Sequence, residues 1–216
     1  MHEHRLPVSR TARYFTLGEP GPSTRQVWFV CHGYGQLAAR FLRHFAVLDD
    51  GSRLIVAPEG LSRFYPDAAS PDRVGASWMT REDRLSEIED YVAYLNALYE
   101  EVFRRIERAV VDVIALGFSQ GAATVSRWVA RGAARADQLV LWGEMMPPDL
   151  ELEASREILR GLRLTLVYGR ADQFATAGKV AETEERLRGH GIPFRVLGFE
   201  GGHELNERVL TELAAT

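Results

Sequence analysis

The sequence predicts an α/β fold in which a mostly parallel central sheet carries helices on both of its faces. Short apolar runs rich in β-branched residues alternate with longer amphipathic runs along nearly the whole chain. This alternation is typical of parallel strands joined by crossover helices. The length of 216 residues suits one domain, because a chain of this size buries roughly 70% of its unfolded surface. We therefore expect residues 1–216 to form a single domain.

Each predicted strand is a run of five to seven residues in which apolar side chains dominate. The first, 13–17, is expected to be an edge strand. The others are expected, in chain order, at 27–31, 53–57, 110–116, 138–142, 162–168 and 193–197. In such a sheet, ligands and catalysis gather where the carboxyl ends of the strands meet the following loops.

Helix-like patterns fill most of the intervals between the strands. They cover 37–48, 82–108, 122–130, 150–159, 175–188 and about 204–213. In the longest, apolar residues spaced three and four apart form one stripe, made of Leu85, Ile88, Val92, Leu95, Tyr99, Val102 and Ile106. We interpret this helix as structural.

The segment from 58 to about 80 is predicted to be a long irregular loop. Loops of this length are uncommon in compact domains and often line binding sites. The alternative is that this segment is a solvent-exposed loop, anchored to the domain by a few aromatic side chains and without a role in binding. The aromatic residues and prolines that raise the question are Phe64, Tyr65, Pro66, Pro71 and Trp78.

Composition and charge exclude several classes of protein. The net charge is −4 with both signs interspersed, which argues against a nucleic-acid partner, because binding to phosphates requires a basic face. The single cysteine, Cys31, excludes an internal disulfide and a cysteine-rich zinc site. No apolar run approaches the ~20 residues of a membrane span, and no secretory signal is visible. We expect a cytoplasmic protein.

The stretch Gly-Phe-Ser-Gln-Gly at 117–121 is the most informative one in the chain. A predicted strand precedes it and a predicted helix follows it, which is the setting of a nucleophile elbow. Glycines are needed on both flanks because the turn is tight and the serine backbone is strained. Ser119 is therefore the predicted nucleophile, and the alternative is a serine in an ordinary strand–helix turn.

A serine nucleophile needs a base, usually a histidine oriented by a carboxylate. In this fold type the chain order is Ser, then Asp or Glu, then His. His203 directly follows the last predicted strand, whereas His190 lies in a turn at the opposite edge of the sheet. Asp172 lies one strand–helix unit before His203 and is the predicted acid. The alternative acids are Asp149 and Glu144.

An oxyanion hole is predicted from two backbone N–H groups. One belongs to Gln120, beside the nucleophile, and the other to Tyr34, in the Gly-rich loop His-Gly-Tyr-Gly at 32–35. The glycines would allow the backbone to approach the substrate closely. We interpret His32 as structural and Cys31 as a core residue, because Cys31 lies inside a strand.

Four motifs together resemble the phospholipase/carboxylesterase family of α/β-hydrolases, which includes acyl-protein thioesterases and small bacterial carboxylesterases. They are His-Gly-Tyr-Gly at 32–35, Gly-Phe-Ser-Gln-Gly at 117–121, Gly-Arg-Ala-Asp at 169–172 and Gly-His at 202–203. The resemblance spans about residues 27 to 213. It implies a serine esterase without a cap domain and without a cofactor or metal, in which Ser119, Asp172 and His203 form a triad. It also implies that the N–H groups of Tyr34 and Gln120 bind the oxyanion.

Three departures from the family pattern concern the substrate. Gln36 stands where an acid is common, Met79-Thr80-Arg81 replaces an aromatic residue and an acid, and Glu144 stands where a small or aromatic residue is usual. For the acyl pocket we predict four side chains, each with the alternative that it belongs to the core: Trp78, Met145, Met146 and Phe174.

The predicted function is therefore a serine carboxylesterase for short- to medium-chain acyl esters, and its partner is a small acyl ester or thioester. A lysophospholipase or an acyl (protein) thioesterase is the first alternative. A lactone hydrolase is another, although that relative usually has Cys at the elbow. The alternative from a different functional class is a non-catalytic binding protein with the same fold. An apolar rim beside the site could mediate a homodimer, but no residue pattern decides this.

Overall fold

The computed structural model describes residues 1–67, 69–70 and 72–215, and a central sheet organises this part of the chain. Its seven strands are β1 (Tyr14–Leu17), β2 (Gln26–Cys31), β3 (Arg53–Pro58), β6 (Asp112–Phe118), β7 (Gln138–Trp142), β8 (Arg163–Gly169) and β9 (Arg195–Phe199). Two further short strands, β4 (Ser62–Phe64) and β5 (Gly75–Ser77), form a separate hairpin. The α-helices are α1 (Ala38–Phe41), α2 (Arg84–Phe103), α3 (Gln120–Arg131), α4 (Leu152–Arg160), α5 (Ala177–Gly189) and α6 (Glu207–Ala214).

The strand order is β1-β3-β2-β6-β7-β8-β9. Only the edge strand β1 runs antiparallel to its neighbour in this sheet of the described chain; the other pairs are parallel. Cys31 at the end of β2 pairs with Gly117 near the end of β6. The loops that follow β2, β6, β8 and β9 therefore emerge at the same edge of the sheet, and the residues predicted for the triad and the oxyanion hole lie in those loops or, for Gln120, at the start of the next helix.

Both faces of the sheet are buried against helices. Along β2, Phe29 lies in a core shared with α2 to α5, whereas Trp28 and Val30 lie in a second core shared with α6 and the 3-10 helix Leu42–Leu48. Successive side chains of a strand point to opposite faces, and burial on both faces explains why these strands read as continuous apolar runs. The predicted α/β class with helices on both faces is confirmed.

Several predicted bounds are corrected by local backbone conformation. The helix expected at 82–108 begins at Arg84, because Asp83 has a left-handed conformation with φ of 45°. Leu85 is 66% exposed, so the predicted stripe starts at Ile88. The last helix begins at Glu207, where Asn206 caps it by accepting a hydrogen bond from the N–H of Val209.

Three further segments differ from the expectation. The segment 37–48 is the one-turn helix α1 followed by a 3-10 helix rather than one α-helix. The last strand spans 195–199 instead of 193–197, and Pro193 cannot donate a ladder hydrogen bond. The segment from 58 to about 80, predicted to be irregular, contains the β4–β5 hairpin, whose three-residue strands are too short to give a periodic pattern. Pro71 lies outside the described residues.

The β4–β5 hairpin is hydrogen-bonded to the predicted oxyanion loop. The N–H of Gly35 donates to the carbonyl of Ala76, and the N–H of Ala76 donates to the carbonyl of Gln36. No helix in the described part of the chain is long and apolar enough to cross a membrane.

Candidate active site

Ser119 occupies a sharp turn between β6 and α3. Its φ of 53° and ψ of −122° lie outside the regions that L-residues prefer. A Cβ on Gly117 would lie 2.1 Å from the carbonyl oxygen of Gly121, and a Cβ on Gly121 would lie 2.1 Å from the carbonyl oxygen of Cys31. Both flanking glycines are thus required by close backbone contacts, as the elbow pattern predicts.

Asp172 and His203 are hydrogen-bonded to each other. The imidazole Nδ1 lies 2.8 Å from Oδ2 of Asp172, whose side chain is 1% exposed. The other carboxylate oxygen accepts from the N–H groups of Phe174 and Ala175, at 2.7 and 3.1 Å. Burial by itself would raise the pKa of Asp172, but the hydrogen bonds from His203 and the two N–H groups outweigh it and hold that pKa below its usual value. The carboxylate is therefore ionised and oriented towards the imidazole.

The imidazole of His203 lies between two aromatic rings. Its centroid is 4.8 Å from that of Phe118 and 4.7 Å from that of Phe174. Gly143, with φ of 68°, faces the ring so closely that an added Cβ would lie 3.0 Å from Cε1 of His203. Together with Asp172, these contacts fix the plane of the ring.

Ser119 and His203 belong to the same edge of the sheet. The N–H of Ser119 donates to the carbonyl of Trp142 at 2.7 Å. The residue after Trp142 is Gly143, against which His203 packs. Within the described residues, the serine hydroxyl and the imidazole are not hydrogen-bonded to each other. Such contacts are often long before substrate binds.

The loop after β2 faces the nucleophile. An added Cβ on Gly33 would lie 3.2 Å from Cβ of Ser119. The N–H of Gly33 donates to Oε1 of Gln36 at 2.8 Å, and the N–H of Gln36 donates to the carbonyl of Gly33 at 3.2 Å. The side chain of Gln36 therefore joins the two ends of the loop 33–36 by a hydrogen bond. Sequence reasoning treated Gln36 only as a departure from a family pattern and missed this contact.

The N–H groups of Tyr34 and Gln120 make no hydrogen bond to any described residue. Tyr34 lies in the loop beside Ser119, and Gln120 begins α3 directly after it. Backbone N–H groups at a helix start favour negative charge. Both donors are thus available to a ligand oxygen, as the oxyanion-hole prediction requires.

The side chain of Gln120 turns away from its own backbone N–H and binds the strand end after β5. Its Oε1 accepts from the N–H of Trp78 at 3.0 Å, and its Nε2 donates to the carbonyl of Met79 at 2.7 Å. This contact joins the start of α3 to the end of the β4–β5 hairpin. The long separation in sequence explains why no local pattern could have revealed it.

His32 is fully buried and both of its ring nitrogens are engaged. Nδ1 donates to the carbonyl of Gly33 at 2.8 Å, and Nε2 accepts from the N–H of Gly60 at 3.0 Å. Burial lowers the pKa of His32, so the neutral ring that this pattern requires is favoured. His32 ties the loop to the end of β3, which agrees with the expected structural role. Cys31 is fully buried in the core, and burial raises the pKa of its thiol.

The four predicted pocket residues lie in different surroundings. Trp78 is 2% exposed and donates its indole N–H to the carbonyl of His32 at 2.8 Å. Met145 and Met146 are buried in the core that includes α2 to α5. Phe174 is 49% exposed and lies against His203. The assignment of these side chains to an acyl pocket stays a prediction.

The alternative acids and the remaining histidine have other partners. Asp149 accepts from the buried Arg127 at 2.7 and 3.1 Å, and Glu144 accepts from the N–H of Met145. Nδ1 of His190 lies 2.8 Å from the carbonyl of Arg186 at the end of α5. Of the candidates considered from sequence, Asp172 is the one that contacts His203. Among the described residues, no group of three His, Cys, Asp or Glu side chains could hold a metal ion.

Comparison with solved structures identifies the fold. The chain superimposes on acyl-protein thioesterase 2 of Zea mays with a TM-score of 0.73 and 16% identity, covering 95% of this chain and 99% of that one. Esterase PE8 gives a TM-score of 0.74 at 21% identity, with 95% and 97% covered. The Bacillus cereus carboxylesterase gives 0.66 at 15%, with 94% and 92% covered. No protein-family model and no curated protein matches the sequence. The chain has the α/β-hydrolase fold, and its described residues contain no inserted cap domain.

Proposed function

We propose that this protein is a serine carboxylesterase that hydrolyses short- to medium-chain acyl esters through an acyl-enzyme. The observation that carries the proposal is the 2.8 Å contact between His203 and the buried carboxylate of Asp172, at the sheet edge where Ser119 adopts its left-handed turn. A strained serine beside an oriented imidazole is the arrangement that acyl transfer uses.

In the proposed acylation step, Oγ of Ser119 attacks the ester carbonyl while Nε2 of His203 takes the hydroxyl proton. Asp172, bonded to Nδ1, keeps Nε2 unprotonated before attack and stabilises the imidazolium that forms. The carbon–oxygen bond to the alcohol then breaks, and His203 returns the proton to the leaving alkoxide. The alcohol departs and the acyl group stays on Ser119.

Deacylation repeats these roles with water. His203 removes a proton from water, the hydroxide adds to the acyl carbon, and the bond to Oγ of Ser119 breaks as His203 protonates it. The carboxylic acid leaves and the free enzyme is restored. In both steps, the negative charge on the carbonyl oxygen would be stabilised by the N–H groups of Tyr34 and Gln120. Removal of one such donor typically lowers kcat by a factor of roughly 10²–10³.

A thioesterase is the second candidate, and two observations favour it. The Zea mays thioesterase shares the fold over 95% of this chain, and the exposed ring of Phe174 offers an apolar surface beside His203 that a longer acyl chain could contact. The chemistry is the same, with a thiolate leaving instead of an alkoxide. A comparison of matched oxygen esters and thioesters of equal chain length separates the two candidates.

Hydrolysis of p-nitrophenyl esters from acetate to palmitate, by wild type and Ser119→Ala, tests the proposal. We expect wild-type activity with one best chain length, and a loss of kcat on the order of 10⁴ or more in the variant with an unchanged unfolding midpoint. A fluorophosphonate probe should label the wild type at Ser119 and leave the variant unlabelled. A variant as active as the wild type would exclude Ser119 as nucleophile, and a folded wild type that resists the probe would favour a non-catalytic protein.

A further inference from the structure

A basic cavity of about 220 Å³ opens beside the predicted oxyanion loop. Gly35, Gln36 and the residues at the start of α1 form one wall, and the segment leading into β5 forms another. Its charged or titratable lining side chains are Arg40, His44 and Arg73. We call this space the basic cavity.

The positive charge of the basic cavity is uncompensated. Within the described part of the chain, the guanidinium groups of Arg40 and Arg73 make no ion pair or hydrogen bond, and the cavity lining includes no Asp or Glu. The chain as a whole has a net charge of −4, so the charge of the cavity lining is opposite in sign to the net charge of the molecule. Two arginines lining one concave space suit an anionic group with two or more oxygens.

The basic cavity is separated from the nucleophile by a single layer of the loop. Gln36 lines the cavity and binds the N–H of Gly33 at 2.8 Å, and the Cα of Gly33 faces Ser119. An ester bound at Ser119 therefore lies against the same loop that lines the basic cavity. Neutral Gln36 adds no negative charge to the wall between them.

The ring of Phe118 shows which part of the substrate this would be. Its Cδ1 faces Gly33, whereas its opposite atom Cε2 faces Gly143. His203 packs beside Gly143, and Phe41, which lines the cavity, packs against Phe118 with centroids 6.1 Å apart. The leaving alcohol must lie next to His203, which protonates it, so the part of the ester nearest the Gly33 loop is the acyl part, whose carbonyl oxygen faces the N–H of Tyr34.

We propose that the basic cavity binds a carboxylate carried by the acyl part of the substrate, so that the preferred substrates are half-esters of dicarboxylic acids. This inference rests on the proposed esterase function and narrows its substrate class. Arg40 and Arg73 supply the charge, and the volume accommodates a carboxylate with the methylene groups that carry it. The cations act on substrate recognition and take no part in proton transfer.

The test compares mono-p-nitrophenyl glutarate with its methyl ester, which has the same chain but no charge. For the wild type we expect kcat/KM to be at least tenfold higher for the charged ester at low salt, and the ratio to shrink in 0.5 M NaCl, where exposed charges are screened. In Arg40→Gln/Arg73→Gln we expect the ratio to fall about tenfold or more. Arg43→Gln is the matched control, because Arg43 is an exposed arginine in the 3-10 helix that does not line the cavity; its ratio should equal that of the wild type.

Binding of glutarate and of inorganic phosphate to Ser119→Ala by calorimetry gives a readout without turnover. We expect glutarate to bind and the double arginine substitution to weaken its Kd at least tenfold. Phosphate binding more tightly than glutarate would overturn the carboxylate assignment.

The kinetic outcomes separate the two proposals. Hydrolysis of the neutral ester with no preference for the charged one would overturn this inference and leave the esterase function intact. No hydrolysis of either ester, together with no fluorophosphonate labelling, would overturn the esterase function and the acyl assignment with it.

Discussion

The carboxylate of Asp172 is held by three donors at once: Nδ1 of His203 on one oxygen, and the N–H groups of Phe174 and Ala175 on the other. The two N–H bonds fix the carboxylate in the loop after β8, so its second oxygen is presented to the imidazole without side-chain freedom. His203 in turn packs against the rings of Phe118 and Phe174. The pair is thus preorganised by contacts that do not depend on substrate.

The first prediction concerns this pair. We expect Asp172→Asn to lower kcat about 10⁴-fold at neutral pH, because an amide facing Nδ1 favours the wrong tautomer and cannot stabilise the imidazolium. The measurement is the kcat for the best p-nitrophenyl ester, together with the thermal unfolding midpoint. Glu200→Gln is the control, since Glu200 is an 88% exposed carboxylate three residues before His203. Equal losses in the two variants would show that a general change of local charge, rather than the contact with His203, sets the rate.

Ser119, Asp172 and His203 could be predicted as nucleophile, acid and base because each belongs to a short motif at a fixed place in a strand–loop–helix unit. Ser119, Asp172 and His203 follow β6, β8 and β9, and parallel strands bring their carboxyl ends to one edge. The role predicted for each position therefore follows from local sequence together with one topological rule.

The contacts that hold the loops together could not be read in this way. Gln120 binds the backbone of Trp78 and Met79 across 42 and 41 residues, respectively, and the buried carboxylate of Glu59 joins Arg13 to Arg63. Arg63 lies four residues after Glu59, but the other partners are 41 to 46 residues apart and share no period. Trp78 shows the same problem for burial, because its place in a long loop gave no sign that it would be only 2% exposed.

The second prediction concerns Gly143. Alanine at this position would place a Cβ 3.0 Å from His203 and would also strain the backbone at φ of 68°, which costs about 1–2 kcal/mol. We expect Gly143→Ala to lower the free energy of unfolding by this amount. We also expect it to lower kcat about 10²-fold, since a small displacement of a catalytic group has an effect of this size.

Gly51→Ala is the matched control for Gly143→Ala. Gly51 has φ of 78° but no atom within 4 Å of an added Cβ, so it should lose similar stability and keep full activity. Both variants are compared by chemical unfolding and by kcat. Full activity in Gly143→Ala at the expected loss of stability would mean that His203 tolerates displacement.

The third prediction concerns Gln36, whose side-chain oxygen accepts a hydrogen bond from the N–H of Gly33. Gln36→Leu leaves that N–H without its partner and frees the loop that positions Tyr34, so we expect kcat to fall about tenfold or more while KM changes less. Gln36→Glu keeps an acceptor at the same place and should restore most of kcat. Steady-state kinetics on a neutral ester measures both. A Leu variant with unchanged kcat and raised KM would instead assign Gln36 to binding.

Gln36→Glu also bears on the basic cavity. The new carboxylate would lie in the wall shared with Arg40 and Arg73 and offset their charge. We expect its preference for mono-p-nitrophenyl glutarate over the methyl ester to fall below that of the wild type, even where kcat for the methyl ester is restored. A preference as strong as that of the wild type would count against a role for these arginines in substrate choice.

The fourth prediction concerns the ion pair between Arg127 of α3 and Asp149. Arg127 is 3% exposed and Asp149 28% exposed, and two hydrogen bonds join them. We expect Asp149→Asn to lower the free energy of unfolding by about 3 kcal/mol, because removal of one partner leaves a buried guanidinium without its counter-charge. Asp112→Asn, which breaks the exposed pair with Arg163, should cost about 1 kcal/mol or less. Urea unfolding of the two variants beside the wild type measures the difference.

The same pair predicts how stability depends on pH. Burial alone would raise the pKa of Asp149, but the hydrogen bonds and charges of Arg127 and Arg84 outweigh it and hold that pKa well below its usual value. In the unfolded chain an aspartate titrates near about 3.9. A carboxyl whose pKa is depressed by folding stabilises the native state fully above the unfolded pKa, and this contribution is lost as the pH falls through the folded pKa. The difference in free energy of unfolding between wild type and Asp149→Asn should therefore be constant from pH 5 to 7 and shrink below about pH 4. A difference that stayed constant down to pH 2 would show that Asp149 contributes through packing rather than through its charge.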